Sequence, residues 1–213
     1  VDRSRGLGDV YKRQPINTVY HATNGGVMAS VDEAWSINQV PYLQMRLDGP
    51  KHWAGSVDLP LSNEKYLKSF LFSKSEAFGS DHPLFRWERT IESSQISKQL
   101  KKAQKFGSSF YPHKNEFLRR ASSGRVTSLK IEGKSGSKIL LKLDDIRRVL
   151  RELPSTLFVV KEIKEGKWLF SGGGFGHGAG MSQSGAIELA KKGWTTKQIL
   201  SHYYPKTKYG FLP

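Results

Sequence analysis

The chain has 213 residues, of which 37% are hydrophobic and 11% aromatic, a composition that excludes a disordered chain and indicates one folded domain with at most a small addition. Cysteine is absent, so disulfides and thiolate metal sites are excluded, and no apolar run is long enough to span a membrane. The formal net charge of +15 favours a polyanionic partner, namely nucleic acid, an anionic membrane or an anionic wall polymer, unless the lysines are simply solvated. No nucleic-acid-binding signature accompanies these lysines, so we expect no nucleic-acid partner.

The first fourteen residues show no hydrophobic period and resemble a translated sequencing-adapter tail, so they are left out of the fold prediction. The domain proper is then expected to run from residue 15 to residue 213, with a small subdomain around residues 84–163. Under this interpretation the native upstream sequence, with any signal peptide or membrane anchor, is missing and the domain is truncated at its N-terminus.

The first half of the chain contains signals for strands, loops and two helices. The turn residues Asn24-Gly25-Gly26 predict strand, turn and strand over residues 18–30, and the composition of residues 48–63 predicts a loop. Apolar spacing predicts a helix over residues 65–73, for which a buried loop segment is the alternative. Alternation predicts a strand over residues 85–91, and a helix is predicted over residues 94–105.

The second half mixes strands and helices in the same way. Residues 125–131 and 137–141 are predicted to form a hairpin, and residues 157–160 and 168–170 two further strands. Asp144 is a candidate N-cap of a short helix that Pro154 stops. Two closing helices are predicted: one over residues 184–192, and one that starts after Thr196 and ends before Pro205. The apolar residues of the first are Ala186, Ile187 and Ala190, and those of the second are Ile199, Leu200 and Tyr203. Regular βαβ alternation is absent, so we predict an α+β fold of mixed antiparallel strands with a few short helices.

A glycine-rich run at residues 172–186 is the strongest candidate for a functional loop. It contains seven glycines and one histidine, His177, and then becomes a helix. Packing alone does not account for so many glycines, which let a ligand or another segment approach the backbone closely. A structural turn before a helix is the alternative. Neither a Walker P-loop nor a dinucleotide fingerprint fits, because no Lys-Ser/Thr pair follows and no βαβ unit has room.

The C-terminal motifs resemble those of the SpoIID/LytB family of cell-wall proteins. The run from Phe175 to Ala186 is similar to the family pattern Gly-aromatic-Gly-His-Gly-Val-Gly-Met-Ser-Gln-x-Gly-Ala, and residues 199–207 match its Ile-Leu-x-His-Tyr-Tyr-x-x-Thr tail. Family-like segments upstream include residues 20–26, 85–88 and 124–131, so the resemblance covers residues 19 to 213 and is weakest over residues 50–80. It implies a SpoIID-like fold.

This resemblance implies work on peptidoglycan outside the cytoplasm, at the cell wall or anchored to the membrane through the missing N-terminus. SpoIID-like members are lytic transglycosylases that cleave glycan strands, and LytB-like members are described as enhancers of a cell-wall amidase. The implied partners are therefore peptidoglycan glycan strands and a cell-wall amidase. The positive charge fits both readings, because peptidoglycan and wall teichoic acids are anionic.

Two departures from the family pattern limit these implications. The family's catalytic glutamate lies in a segment resembling Glu-x-Pro-x-x-Trp-Pro-x-Glu-Ala-Leu-Lys-Ala-Gln-Ala, which has no counterpart here, and Glu33 lacks its Pro and Trp context. Some members bind zinc near the early turn through His and Cys. Here His21 remains, but Asn24 and Val27 stand where other ligands are expected, so we predict no metal and no cofactor.

Several residues of the glycine-rich run and the last helix are nonetheless predicted to contact substrate. His177 is expected to hydrogen-bond to a sugar, and Ser182 and Gln183 to present polar groups at a helix start, with a simple N-cap as the alternative for Ser182. Phe175 could stack on a pyranose ring or pack in the core, and His202 is expected to line the same cleft. The predicted substrate-binding residues are Phe175, Gly176, His177, Gly178, Ser182, Gln183 and His202.

Cleavage of a glycosidic bond needs a carboxylic acid that protonates the leaving oxygen. Without the family glutamate, the sequence predicts a peptidoglycan-acting, SpoIID-like protein that binds glycan without turnover. The alternative is a non-catalytic, LytB-like amidase enhancer or binding module. The sequence leaves the catalytic residue unknown.

Overall fold

The computed structural model of the protein describes residues 8–11, 14–103 and 112–210. The helices within these ranges are α1 (Val31–Ala34), α2 (Lys51–Gly55), α3 (Glu64–Phe72), α4 (Ser93–Lys102), α5 (Asp145–Val149), α6 (Gln183–Lys191) and α7 (Thr196–Tyr203). The strands are β1 (Gly8–Tyr11), β2 (Gln14–Pro15), β3 (Tyr20–His21), β4 (Val27–Met28), β5 (Arg46–Leu47), β6 (Arg86–Glu92), β7 (Pro112–Arg120), β8 (Val126–Gly133), β9 (Lys138–Lys142), β10 (Phe158–Lys164), β11 (Lys167–Gly173), β12 (Met181–Ser182) and β13 (Lys208–Gly210).

Small, mostly antiparallel sheets and short helices make up the fold, so the predicted α+β class is confirmed. Two three-stranded antiparallel sheets, in the orders β10-β11-β6 and β7-β8-β9, form the central part. The pairs β4-β5 and β12-β3 and the sheet β13-β1-β2 are shorter, and β12 pairs with β3 in parallel. The chain thereby brings residues 181–182 beside residues 20–21, which positions the glycine-rich run.

The largest core lies between the two central sheets and the helices α4 and α5. Strand β8 alternates, so that Val126, Leu129 and Ile131 are buried, and Ile139 and Leu141 of β9 face the same side. These side chains pack with two apolar residues from each helix: Ile96 and Leu100 from α4, and Ile146 and Val149 from α5. Burial of an aliphatic side chain of this size stabilises a fold by roughly 1.5–3 kcal/mol. This core spans Trp87 to Phe170 in sequence; the subdomain boundary at residues 84–163 stays a prediction.

A second core surrounds α3, the helix that the spacing of residues 65–73 predicts correctly. Asn63 caps it, because its side chain accepts a hydrogen bond from the Lys65 N–H. The predicted loop over residues 48–63 is wrong in part, because α2 lies within it. Trp53 is buried there, and its ring lies 6.2 Å from that of Phe70. One buried aromatic side chain therefore orders a turn of helix that the loop-like composition conceals.

Most of the other predicted elements are confirmed with shifted ends. The strand over 85–91 is β6, the hairpin over 125–141 is β8 and β9, and the strands over 157–160 and 168–170 are β10 and β11. The helix over 94–105 is α4, and residues 104–105 lie outside the described residues. Within the excluded tail, β1 pairs with β13; whether residues 1–14 are native stays a prediction.

The inward face of α6 differs from the prediction. Gly185 and Leu189 are buried, whereas Ile187, assigned to the apolar face, is 58% exposed and Ala190 is exposed as well. Residues four apart share one side of a helix, and residue 187 points away from the side that 185 and 189 share. The helix packs inward at Gly185 because this residue has no side chain; a Cβ there would overlap the Tyr203 hydroxyl. In α7 the predicted inward residues Ile199 and Tyr203 are buried.

Asp144 is the residue before α5, but its side chain makes no capping hydrogen bond. Its two carboxylate oxygens instead accept from Arg147 Nε and Nη2 at 2.6 and 2.9 Å, and from Arg148 Nε at 2.9 Å. The predicted N-cap role of the side chain is therefore wrong, because two arginines one turn ahead offer charged donors.

Candidate functional site

The glycine-rich run joins β11 to α6 and is fixed to the early turn of the chain. Phe175 N donates to Thr23 O (2.8 Å), Thr23 N donates to Phe175 O (3.3 Å), and Ala29 N donates to Gly178 O (2.9 Å). The parallel pairing of β12 with β3 continues this contact. Two segments more than 140 residues apart in sequence therefore form one backbone unit.

The glycines of this run are needed for packing against protein atoms, so the close approach of another chain segment explains their bare backbone; contact of Gly176 and Gly178 with substrate stays a prediction. A Cβ on Gly178 would overlap the guanidinium of Arg125, and one on Gly176 would lie 2.7 Å from Cβ of His21. Gly174 meets the backbone of Asn24 at 2.9 Å in the same way. The φ angles of these three glycines, +84°, +113° and +82° along the chain, also lie in the left-handed half of backbone space, which disfavours other residues. Their bare backbone accommodates other segments of the chain.

His177 uses both ring nitrogens to hold the backbone. Nδ1 accepts from Ala179 N (3.2 Å), so Nε2 carries the hydrogen and donates to Tyr20 O (2.9 Å). Burial lowers the pKa of His177 to about 4, and the bond to Tyr20 opposes this only in part. The neutral ring therefore has no free polar atom for a sugar in this conformation, although its substrate role stays a prediction.

The ring of His177 also supports an aromatic side chain at the edge of an open groove. Its centroid lies 4.6 Å from that of Trp35, at an interplanar angle of 47°. Trp35 follows α1 and lies in what we call the Trp35 groove, about 870 Å³ between the α1 segment and the sheet β7-β8-β9. The lining side chains used below are Asp32, Glu33, Trp35, Asn38, Gln39 and Ser122.

A buried acid lies in the wall of this groove. Glu33 is almost completely buried, and its Oε1 accepts from Ser122 Oγ at 3.3 Å. Burial raises the pKa of the Glu33 carboxyl, and hydrogen bonding from Ser123 and the positive charge of Arg125 oppose the rise. Arg125 itself has no exposed surface, and its Nη2 donates to Asn24 O at 3.0 Å. Glu33 and Arg125 are thus two buried groups whose opposite charges act on each other, although no direct hydrogen bond joins them.

Phe175 lies in a different groove. Phe175 as a whole residue is 43% exposed, so the alternative of core packing is wrong. We call this second surface the arginine groove; it is lined by Arg89, Arg147, Arg148, Arg151, Pro154 and Phe175. Four arginines and one carboxylate line it, whereas the Trp35 groove mixes Arg119, Arg120 and Lys142 with Asp32 and Glu33.

Ser182 and Gln183 diverge at the start of α6. Ser182 has no exposed surface, and its Oγ accepts from Gly185 N at 3.3 Å, so it is an N-cap. Its predicted contact with substrate is not possible in this conformation. Gln183 is exposed and lines a third groove, together with Ser184, Ile187 and Glu188. Of the two residues predicted at this helix start, Ser182 therefore has a structural role, and Gln183 is exposed to solvent.

His202 faces the protein and contacts a buried carboxylate that the sequence analysis missed. Its Nε2 lies 2.8 Å from Oδ1 of Asp48, and Oδ2 of Asp48 accepts from Asn24 Nδ2 (2.5 Å) and from the Tyr203 hydroxyl (3.1 Å). Burial, with the charge of Asp48, raises the pKa of Tyr203. No sequence signal marked Asp48, because it lies in a Leu-Asp-Gly-Pro turn that reads as an ordinary loop.

The residues near the early turn do not fit zinc. His21 Nδ1 is 3.1 Å from Ala179 O, the Asn24 amide donates to Asp48, and Val27 has no donor atom. Burial lowers the pKa of His21 well below its usual value, and the His177 ring lies beside it at 5.2 Å. Among the residues that the structure describes, no group of three or more His, Cys, Asp or Glu side chains could hold a metal ion.

The predicted substrate-binding residues are therefore divided among several places and do not line one cleft. Phe175 lies in the arginine groove, Gln183 in the third groove and His202 beside Asp48, while the ring of His177 contacts Trp35. No described helix is long and apolar enough to cross a membrane.

Comparisons with known proteins identify a family and several relatives. Residues 29–180 match a family described as a domain of unknown function (DUF8618). The chain is 27% identical to the amidase enhancer of Bacillus subtilis (strain 168), over 97% of this chain and 31% of that protein. It is 28% identical to stage II sporulation protein D of Bacillus amyloliquefaciens, over 91% of this chain and 45% of that protein.

An uncharacterized protein of Brachyspira hyodysenteriae is 27% identical, over 96% of this chain and 46% of its own length. The chain thus spans less than half the length of each of these curated relatives. The relatives named amidase enhancer and stage II sporulation protein D agree with the motifs of residues 175–186 and 199–207. The chain belongs to the family described as DUF8618, and it is a SpoIID/LytB-like protein.

Proposed function

We propose that this protein acts outside the cytoplasm at the cell wall and binds the glycan strands of peptidoglycan in the Trp35 groove, without cleaving them. The names of two relatives, amidase enhancer and stage II sporulation protein D, support a cell-wall role. The observation that carries the proposal is the tryptophan that lines a polar groove of about 870 Å³ and contacts the His177 ring.

The chemistry of the Trp35 groove suits a sugar strand. The flat face of an indole ring packs against the apolar face of a pyranose, and nearby amides and hydroxyls bond to sugar hydroxyl and N-acetyl groups. Trp35 supplies the ring, and Asn38 and Gln39 supply amides. The support from His177 fixes the position of the ring, which lowers the entropy lost when a glycan binds.

The absence of turnover is proposed on chemical grounds. Transglycosylase cleavage needs a proton donor beside the leaving oxygen. Glu33 has a raised pKa, but its carboxyl is buried and accepts from Ser122, and it stands in a different sequence context from the family glutamate. We therefore assign no catalytic residue. Glu33 is the carboxyl group to replace if turnover is observed.

Binding to purified sacculi tests the proposal. Trp35→Ala is expected to weaken binding at least tenfold, and Trp35→Phe, which keeps a ring, to retain most of it. Trp194→Ala is the matched control, because Trp194 is also partly exposed but packs near Phe78 and His202. Unfolding midpoints are measured for all variants. Equal binding by wild type and a folded Trp35→Ala variant would refute the Trp35 groove as the site.

Release of anhydro-muropeptides from the sacculi measures turnover in the same experiment. The expected result is no release above the buffer blank. Release by the wild-type chain would refute binding without turnover, and its loss in Glu33→Gln would then identify Glu33 as the proton donor.

A second candidate function is enhancement of a cell-wall amidase, which the similarity over 97% of this chain to a protein of that name favours. Under this alternative the protein increases the rate at which a purified amidase solubilises sacculi. A rate unchanged by a molar excess of the protein would argue against enhancement and leave glycan binding as the proposal.

A further inference from the structure

We propose that the arginine groove binds an anionic sugar of the wall polymer, with the charged group held by arginines and the ring placed on Phe175. The shared chemistry is a carboxylate or phosphate attached to a saccharide. This inference rests on the proposed function, because it names the kind of wall component that a second surface, separate from the Trp35 groove, would take. Neither the sequence motifs nor the relatives assign a role to these arginines.

Two of the arginines are held in place by one buried acid. Asp144 is 5% exposed, and it accepts two hydrogen bonds from Arg147 and one from Arg148. A guanidinium has five N–H donors, so each arginine keeps donors that Asp144 does not use. A fixed guanidinium loses less entropy when it binds an anion than a mobile lysine does. Asp144 therefore orders the cationic edge while cancelling only one of its charges.

The other two arginines contribute charge that the protein does not neutralise. Within the described ranges, neither Arg89 nor Arg151 forms an ion pair, and Arg89 Nη1 donates a hydrogen bond to the neighbouring Glu88 carbonyl (2.8 Å). Glu152 is the one carboxylate among the described residues that line the groove, and its Oε1 lies 3.5 Å from Gln99 Nε2. Four guanidinium groups thus face one carboxylate, with Asp144 behind them, and the groove is net positive.

An exposed aromatic ring lies in the same groove. Phe175 is 43% exposed, yet its backbone is fixed by two hydrogen bonds to Thr23, and Gly176 N donates to Pro154 O at 3.0 Å. An exposed phenyl ring on a rigid backbone offers a flat apolar face, which matches one face of a pyranose. The groove, about 660 Å³, is in the size range of small-molecule sites. Arginines and one ring together select a ligand that is both anionic and cyclic.

The test compares charged and uncharged probes by calorimetry. The probes are a purified disaccharide–tetrapeptide, which carries carboxylates, a hexose phosphate, which carries a phosphate on a sugar ring, and chitotriose, which is uncharged. Arg89→Gln combined with Arg151→Gln is expected to weaken binding of at least one anionic probe tenfold or more and to leave chitotriose binding unchanged. Phe175→Ala is expected to weaken binding of the disaccharide–tetrapeptide at least threefold. Comparison of the carboxylate-bearing probe with the phosphate-bearing probe shows which of the two anionic groups the groove binds.

The matched control removes the same charge elsewhere. Lys65 and Lys197 are exposed and line neither groove, so Lys65→Gln combined with Lys197→Gln should leave all affinities unchanged. Equal losses of affinity in the two double variants would mean that any surface cation binds the anionic probes. A DNA duplex is a further probe, and if the arginine double variant loses as much affinity for it as for the anionic sugars, the groove binds polyanions nonspecifically. Either result would overturn the inference. An arginine double variant that binds both anionic probes like wild type would also overturn it.

Failure of this inference and failure of the proposed function give different results. If only the assignment of the arginine groove is wrong, Trp35→Ala still loses sacculus binding, and the arginine double variant binds the anionic probes like wild type. If only the assignment of the Trp35 groove is wrong, the arginine double variant loses affinity for an anionic probe, and Trp35→Ala binds sacculi normally.

Discussion

The backbone of Gly178 lies so close to the guanidinium of Arg125 that a Cβ at this position would overlap Nη2, Cζ and Nε. Arg125 is completely buried, and burial lowers its pKa to about 10. A buried guanidinium needs nearby acceptors and charges, here the Asn24 carbonyl and the carboxylate of Glu33. The glycine-rich run therefore owes part of its composition to a cation in the protein interior.

Gly178→Ala is expected to destabilise the fold much more than Gly136→Ala. Both glycines have similar φ angles, +82° and +78°, so both substitutions incur the left-handed penalty of roughly 1–2 kcal/mol. A Cβ added at Gly136 would meet no atom within 4 Å, whereas one at Gly178 meets Arg125. Overpacking should add about 1–3 kcal/mol at Gly178. Urea unfolding measures both, and equal losses would contradict the contact.

Asp48→Asn is expected to lower the free energy of unfolding by about 1.5–3 kcal/mol, the range for a hydrogen bond to a charged group. The carboxylate accepts from Asn24, Tyr203 and His202 within 3.1 Å, and an amide cannot accept from all of them. Asp58→Asn is the control, because Asp58 is exposed, and should change stability by less than about 0.5 kcal/mol. A folded Asp48→Asn variant that lost sacculus binding selectively would instead return His202 to the binding site.

Leu189→Ala and Ile187→Ala test which face of α6 is inward. Leu189 is fully buried and its truncation should cost about 2–5 kcal/mol, whereas Ile187 is 58% exposed and its truncation should cost less than about 0.5 kcal/mol. Thermal or urea unfolding of the pair is sufficient. The reverse order would restore the face that the sequence pattern suggested.

Stability should fall as the pH is lowered below about 6.5, the usual pKa of histidine in an unfolded chain. The folded pKa of His177 is lowered to about 4, chiefly by burial, so between these values the unfolded state binds a proton that the folded state does not. The free energy of unfolding then decreases by up to about 1.4 kcal/mol per pH unit for this histidine. His21, whose pKa is also lowered by burial, acts in the same direction.

His177→Gln should make this decrease shallower between pH 6.5 and pH 4.5, because the variant loses the contribution of His177 and also the part of the lowered pKa of His21 that the His177 charge causes. Unfolding midpoints measured at several pH values give the two slopes. Parallel slopes would mean that His177 titrates normally in the folded protein. Since both its ring nitrogens bond to backbone, the variant should also be less stable at pH 7.

The elements that the sequence predicted well are those with local causes. Helix α3 follows from its apolar spacing and the Asn63 cap, and the β8–β9 hairpin from alternation and the glycines of its turn. Helix α2 was missed because its one strong determinant is the distant contact between Trp53 and Phe70. The face of α6 was misassigned because Gly185 adjoins Tyr203 and Asp48.

The α+β class, the positive charge and the SpoIID/LytB-like motifs can be read from the amino-acid sequence, because composition, periodicity and spacing are properties of the chain. What fills the space beside Gly176 and Gly178 is visible only in the folded protein, since His21 and Arg125 reach it from distant segments. The fold also separated Phe175 from His177 and placed Asp48 under His202. Such assignments depend on long-range contacts, and a local pattern carries no information about which segments will meet.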